Sequence, residues 1–263
     1  MTAPRLVATD LDGTIVRSDG TISDRTVDAL ARVEAAGAVL VLVTGRPPRW
    51  MPPIVERLGH KGLAICANGA VVYDLHTMSV VRHSSMTADA AAEVVEALRR
   101  DVPGIAFAVE HHESGFAHEP SYVPRWDSSD PKDVREVETL VAGGVVKLLA
   151  RHQDMDADTL LAAAHRSVGG LGTLTHSSAD GLLEISATGV SKASGLAQLA
   201  EERGISAADV VAFGDMPNDL PMLAWAGLGV AVANAHPEVL AVADEATGSN
   251  DEDGVAQVLD RWF

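Results

Sequence analysis

Leu6-Val7-Ala8-Thr9-Asp10-Leu11-Asp12-Gly13-Thr14 is the stretch that decides the fold. Leu6 to Thr9 reads as a short buried strand, and the residues after it are turn chemistry. The next segments repeat the theme. Ser23 to Ala36 has helical spacing, with Ser23 or Asp24 as the N-cap and Gly37 as the stop. Val39 to Val43 is a continuous apolar run, typical of a parallel strand covered on both faces, and it ends at Thr44-Gly45-Arg46-Pro47. A helix over Met51 to Leu58 and a strand over Leu63 to Cys66 follow. Strand, helix, strand, helix, strand predicts an α/β fold with a doubly wound, mostly parallel, Rossmann-like sheet.

The texture changes near residue 82. Thr87 to Arg100 reads as an amphipathic helix, Ile105 to Glu110 as a strand, and Gly115 to Lys132 as irregular, with prolines at 120, 124 and 131. Val145 to Ala150 reads as a strand, Ala157 to His165 as a helix and Leu182 to Ser186 as a strand. The first pattern then returns: helix Lys192 to Arg203, strand Val210 to Phe213, helix Leu220 to Ala226, strand Gly229 to Val232, helix Pro237 to Val242. The expectation is a core of residues 1–82 plus 188–263, split by an inserted α/β (α+β) domain at 83–187.

The whole chain has 263 residues and a formal charge of −17. With 47% apolar residues it can bury a core, so disorder is excluded. An acidic surface disfavours nucleic acid and anionic membranes. Cys66 is the only cysteine, so no intrachain disulfide forms, and no run is long and apolar enough to span a bilayer. A cytoplasmic enzyme, monomeric or weakly dimeric, is the expectation.

The polar residues fall at strand ends. Asp10 and Asp12 follow the first strand, Thr44 the second, and Asp215, Asn218 and Asp219 the strand Val210 to Phe213. Ligands of open parallel sheets bind outside the carboxyl ends of strands, so the clusters converge on one crevice. Several carboxylates there cannot all stay ionised without a cation, and oxygen ligands favour a hard divalent ion, Mg²⁺ beside phosphate. Of Asp10 and Asp12, one can act as nucleophile and the other as proton donor and acceptor. Gly13 admits a close backbone approach, Thr44 offers a hydroxyl, and Lys192 stands at a helix start where an anion is favoured. Together these suggest phosphoryl transfer.

Asp10-Leu11-Asp12-Gly13-Thr14, Thr44-Gly45-Arg46, Lys192 and Gly214-Asp215-Met216-Pro217-Asn218-Asp219 resemble, in order, the four motifs of the haloacid dehalogenase superfamily phosphatases. The insertion between the second and third motifs resembles the C2-capped, Cof-type branch (class IIB). Ala67-Asn68-Gly69-Ala70, the segment Val232 to Val239 and the segment Ser249 to Val255 support the resemblance. It implies a Mg²⁺-dependent phosphatase for a small phosphorylated metabolite, such as a sugar phosphate, pyridoxal phosphate or flavin mononucleotide. Asp10 would form an aspartyl-phosphate, and Asp12 would protonate the leaving oxygen and then activate water. The Leu11 backbone N–H, Thr44, Gly45 and Asn218 would hold the phosphoryl group, and Lys192 would neutralise charge and steady Asp10. Asp10, the Asp12 carbonyl and Asp215 would bind the metal, with Asp219 bracing Lys192 or reaching the ion through a water. Pro217 and Pro221 imply a stiffened loop.

Two alternatives remain, a phosphomutase on the same core and a non-catalytic phospholigand binder; the Asp10/Asp12 pair argues against the latter. Glu110, His111, His112, Glu113 and His118 crowd together but lack the spacing of a zinc site, leaving a substrate-facing role in the insertion. Tyr122 and Trp126 read as packing, Gly169 to Gly172 as a turn, and Cys66 as a core residue.

Overall fold

The strand order explains why the polar motifs sit where they do. In the computed structural model, which describes residues 2–111, 115–125, 133–178 and 180–263, the chain divides into two compact units, Met1–Arg82 with Ser191–Phe263, and His83–Val190. His112, Glu113 and Trp126 lie outside the described residues.

The elements run β1 (Leu6–Thr9), α1 (Asp24–Ala35), β2 (Val39–Val43), α2 (Pro52–Leu58), β3 (Leu63–Cys66), β4 (Val71–Asp74) and β5 (Ser79–His83). The second unit follows with α3 (Ala88–Asp101), β6 (Ala106–His111), β7 (Gly115–His118), β8 (Asp133–Val134), α4 (Val137–Val141), β9 (Lys147–Arg151), α5 (Ala157–Val168), β10 (Thr173–Thr175) and β11 (Leu182–Ser186). The first unit is completed by α6 (Lys192–Glu202), β12 (Val210–Gly214), α7 (Leu220–Trp225), β13 (Leu228–Ala231), α8 (Pro237–Val242), β14 (Glu245–Ala246) and α9 (Gly254–Leu259).

The first unit holds an eight-stranded sheet in the order β14-β13-β12-β1-β2-β3-β4-β5. β1 lies parallel to β12 on one side and to β2 on the other, with Thr9 beside both Phe213 and Leu42. The strand order reverses at β1, so the loops leaving β1, β2 and β12 open at one place. All of β1 and nearly all of β2 are fully buried, as their unbroken apolar character demands. β4 turns back antiparallel on β3.

The helices obey their caps. The Ser23 hydroxyl accepts from Thr26 N–H and opens α1. Ser191 and Ser194 form a reciprocal capping box that starts α6 at Lys192. Pro217 and Pro221 do not interrupt the structure. A single 3₁₀ turn, Pro217–Asp219, runs directly into α7, with the prolines in first-turn positions where no N–H is missed.

The second unit is a six-stranded sheet in the order β10-β11-β9-β6-β7-β8. Its strands alternate. Phe107, Val109, Leu148, Ala150, Leu183 and Ile185 join one apolar cluster with residues of α3 and α5. The other face carries Ala106, Ala108, Leu149 and Leu182 in a smaller cluster with Tyr122, together with buried Glu110, Lys147, Arg151 and Glu184. The expectation that Gly115 to Lys132 is irregular is corrected over Gly115–His118. That run is a strand, antiparallel to β6 with Ala117 opposite Val109. Pairing with β6 outweighs the weak local pattern of Gly-Phe-Ala-His.

Candidate active site

Asp10 sits one residue past β1, is 5% exposed, and its N–H donates to Phe213 O of β12 at 3.0 Å. Lys192, the first residue of α6, buries its whole side chain to reach it. Lys192 Nζ donates to Asp10 Oδ1 and to Asp219 Oδ1, each at 2.7 Å. Asp219 is then fully engaged: its Oδ2 accepts the N–H groups of Asp215 and Met216, both at 3.1 Å. The Asp219 carboxylate therefore ties the β12 loop to Lys192. Asp215 takes Thr14 Oγ1–H on its Oδ1 at 3.1 Å.

Gly13 makes this crowding possible. Its φ is +77°, and a Cβ there would lie 2.2 Å from Asp215 Oδ2, so any side chain would expel that carboxylate. Asn234 Nδ2 donates to Gly13 O at 2.8 Å, and Asn250 N–H donates to Asn234 Oδ1 at 2.9 Å. Asn250 Nδ2 donates to Val16 O at 3.0 Å. The C-terminal fragments thus brace the loop after β1 from behind.

The Leu11 side chain is fully buried, and its carbonyl accepts from Thr14, Ile15 and Val16 N–H, folding that loop into a tight turn. Thr44, at the end of β2, is 1% exposed; its Oγ1 accepts from Arg46 N–H at 3.0 Å, which leaves the hydroxyl proton to donate. Gly45 lies between them. Asp12 stands apart from the other acids. Its side chain is 57% exposed and is gripped by Arg46, with Nε to Oδ2 at 2.8 Å and Nη2 to Oδ1 at 2.5 Å.

Asn218 donates from Nδ2 to Asn68 Oδ1 at 3.1 Å. Asn68 occupies the left-handed region (φ 55°) just past β3, and its N–H donates to Thr44 O. Gly69 packs so closely on the start of α6 that a Cβ would meet Ser191 O at 2.0 Å. Asn68 Nδ2 and Asn218 Oδ1 are buried and have no hydrogen-bond partner among the described residues. A buried donor left open in this way costs about 1–3 kcal/mol unless something fills it. The sequence places Thr14 and Arg46 inside two of the motifs and Asn68 and Asn234 in supporting fragments, but assigns none of the four a role. The one available signal was an Asn-Gly at a strand end, which marks a left-handed turn.

Oxygens of Asp10, Asp215 and Asp219 all lie within 4.8 Å of one another, and all three residues are buried. Burial raises the Asp10 pKa well above the usual carboxylate range; Lys192 opposes this, and Asp219, Asp215 and Asp12 add to it. Burial and then Asp219 push Asp215 up to about 7. Burial works against the charge on Lys192, but Asp10 and Asp219 hold its pKa above the ordinary value. One ammonium faces three acids, so the cluster carries negative charge that it cannot hold unaided. An oxygen-only, buried, acid-rich cluster fits a hard divalent cation such as Mg²⁺. Asp10 and Asp215 are suited to direct ligation, because Asp219 spends both oxygens on protein donors.

The description haloacid dehalogenase-like hydrolase matches residues 7–259. The chain is 32% identical to a pyridoxal phosphate phosphatase of Escherichia coli, over 97% of both chains. It is 28% identical to a 5-amino-6-(5-phospho-D-ribitylamino)uracil phosphatase of Bacillus subtilis, over 100% of this chain and 98% of that one. Among solved structures, a haloalkanoate-superfamily phosphatase from Bacteroides thetaiotaomicron superposes with a TM-score of 0.81 at 25% identity, covering 98% of this chain and 95% of that one. A subclass IIB sugar phosphatase of the superfamily shares the fold, with a TM-score of 0.83 at 20% identity and 98% coverage of both chains.

Proposed function

The chain belongs to the haloacid dehalogenase-like hydrolases and is a phosphoric monoester hydrolase, and on that premise we propose that it hydrolyses a small phosphorylated metabolite through an aspartyl-phosphate on Asp10, with Mg²⁺ as cofactor. The observation that carries this reading is the buried Asp10–Lys192–Asp219 chain beside Asp215. It holds one carboxylate in place as a nucleophile and surrounds it with groups that neutralise charge.

Asp10 attacks phosphorus, and the bond from phosphorus to the ester oxygen breaks. Asp12 gives its proton to that departing oxygen, so the alcohol leaves neutral. Asp12, now a carboxylate, takes a proton from the water that attacks phosphorus and releases phosphate from Asp10. Lys192 offsets the charge that develops on the equatorial oxygens. The Thr44 hydroxyl, the N–H groups of Leu11 and Gly45, and the Asn68–Asn218 amide pair line the place for those oxygens. The open donor on Asn68 matches an anionic acceptor there. When bound at Asp10, Asp215 and the Asp12 carbonyl, Mg²⁺ supplies a Lewis-acid charge that offsets the negative groups crowded there.

Pyridoxal phosphate, a phosphorylated ribityl pyrimidine and sugar phosphates make up the first panel, because relatives are named for the first two and a fold neighbour for the third. The test is inorganic phosphate release across that panel with Mg²⁺ and no bisphosphate activator. Release from at least one monoester, abolished in Asp10→Asn, is expected. Release that needs a bisphosphate, with isomerised product, would establish a phosphomutase instead. Release unchanged in Asp10→Asn would remove the mechanism.

A further inference from the structure

We propose that Arg46 is the positioning residue of the proton-transferring carboxylate: its guanidinium fork fixes the orientation of the Asp12 carboxylate, the form that takes the proton from water, and one oxygen turns away from the fork to carry the proton that Asp12 gives the leaving oxygen. The inference rests on reading Asp12 as the acid and base.

The two acids of the loop after β1 are held by different means. Asp10 is buried and tied to a buried lysine. Asp12 projects a side chain that is more than half exposed, with Arg46 as its partner among the described residues. An exposed aspartate samples several side-chain rotamers unless something selects one. Two parallel N–H···O bonds at 2.8 and 2.5 Å select one, because a planar fork meets a carboxylate in a single relative orientation.

The fork is itself rigidly mounted. Arg46 N–H donates to Thr44 Oγ1, and Arg46 O accepts from Ala67 N–H at 2.9 Å. The backbone of Arg46 is therefore pinned to β2 on one side and to the turn after β3 on the other. Its side chain is 21% exposed, so most of it is held by packing. Lysine cannot reproduce this, since a point charge places a carboxylate without orienting it. A carboxyl displaced by about 1 Å transfers protons poorly, with losses of about 10²-fold for such misplacement.

The experiment is a double-mutant cycle on the full chain, with an alkyl phosphate and p-nitrophenyl phosphate as substrates. Asp12→Asn is measured first. It is expected to slow turnover of the alkyl ester, whose alkoxide needs a proton. If it does not, the acid/base reading falls, and the proposal with it, before Arg46 is touched. Arg46→Met, which keeps the apolar stem, is then expected to lower kcat on the alkyl ester by about 10- to 100-fold with KM changed less than about threefold. The burst of nitrophenolate, which leaves without help from an acid, should change by less than about threefold. In the Asp12→Asn background the same substitution should cost almost nothing more. Arg46→Lys should fall between wild type and Arg46→Met, and it replaces the Met variant if that one fails to fold. An increase in KM that persists at full size in the Asp12→Asn background would place Arg46 on the substrate and overturn the proposal. Unchanged kcat in both Arg46 variants would overturn it as well.

Discussion

Among the described residues a lysine is buried among acids twice, and the two clusters are built to different charge balances. In the first unit Lys192 meets Asp10 and Asp219, with Asp215 alongside. In the second unit Lys147 donates to Glu184 Oε1 at 2.6 Å and stands opposite Glu110 across β6 and β9. Arg151, on the same strand and face as Lys147, lies 5.6 Å from the centre of the Tyr122 ring. Two cations there balance two anions. One cation faces three anions in the first unit, and burial pushes Asp10 and Asp215 toward their protonated forms. The charges of the second cluster match in number, whereas the acid-rich set of the first unit fits a divalent cation. The excess of acid is the mark of chemistry, and the burial of charge by itself is not.

Replacing each lysine breaks the comparison in a different place. Lys192→Met is expected to lower kcat by about 10³-fold, or about 4 kcal/mol in the barrier, as measured by steady-state phosphate release. Lys147→Met leaves Glu184 buried beside a methyl group and is expected to cost about 3–5 kcal/mol of stability in urea unfolding. Adding Glu184→Leu to it should recover most of that loss, because both charges then disappear together. If Lys147→Met proved neutral in stability, the second cluster would not be a structural pair.

The acid-rich cluster also predicts a pH slope. Asp215 has a folded pKa of about 7, above the value of 3.8 for an ordinary aspartate. The folded protein therefore holds a proton that the unfolded chain releases. The contribution of this group to stability is fully present below about pH 4 and is lost as pH rises to about 7. Other acids, such as Asp74 and Asp156, have lowered pKa values and slope the opposite way. The informative quantity is thus the metal-free wild-type curve minus the Asp215→Asn curve. That difference should fall by a few kcal/mol across the window, and Mg²⁺ should flatten it. A smaller effect belongs to Asn68. Asn68→Gly keeps the left-handed backbone and deletes the open donor, so KM should rise about tenfold with kcat little changed. No change in KM would remove Asn68 from the phosphoryl pocket.

The strand-end motifs of the first unit were legible because parallel topology brings the ends of β1, β2 and β12 together whatever the loops contain. The first three strands and their helices were legible because apolar runs and capping residues are local signals. Contacts made by folding were not. Nothing near Arg46 in the sequence points to Asp12, and Lys147 lies 37 residues from Glu184. β7 escaped notice because Gly115–His118 is a strand only through its partner β6. β4, β5, β8, β10, β14, α4 and α9 have no assignment in the sequence reading for the related reason that they are short and take their form from neighbours. Asn68 enters the sequence reading only within a fragment that supports the resemblance; its open amide depends on Asn218, 150 residues away, which takes the other end of the side chain.

The central claim is that Asp10 is phosphorylated during turnover. The most direct measurement is chemical trapping: p-nitrophenyl phosphate and Mg²⁺ are mixed with the Asp12→Ala variant, the mixture is quenched, reduced with borohydride, and the peptide containing residue 10 is read by mass spectrometry. Homoserine at position 10, formed by reduction of an aspartyl-phosphate, is the expected result. A burst of nitrophenolate with Asp10 unmodified would contradict it.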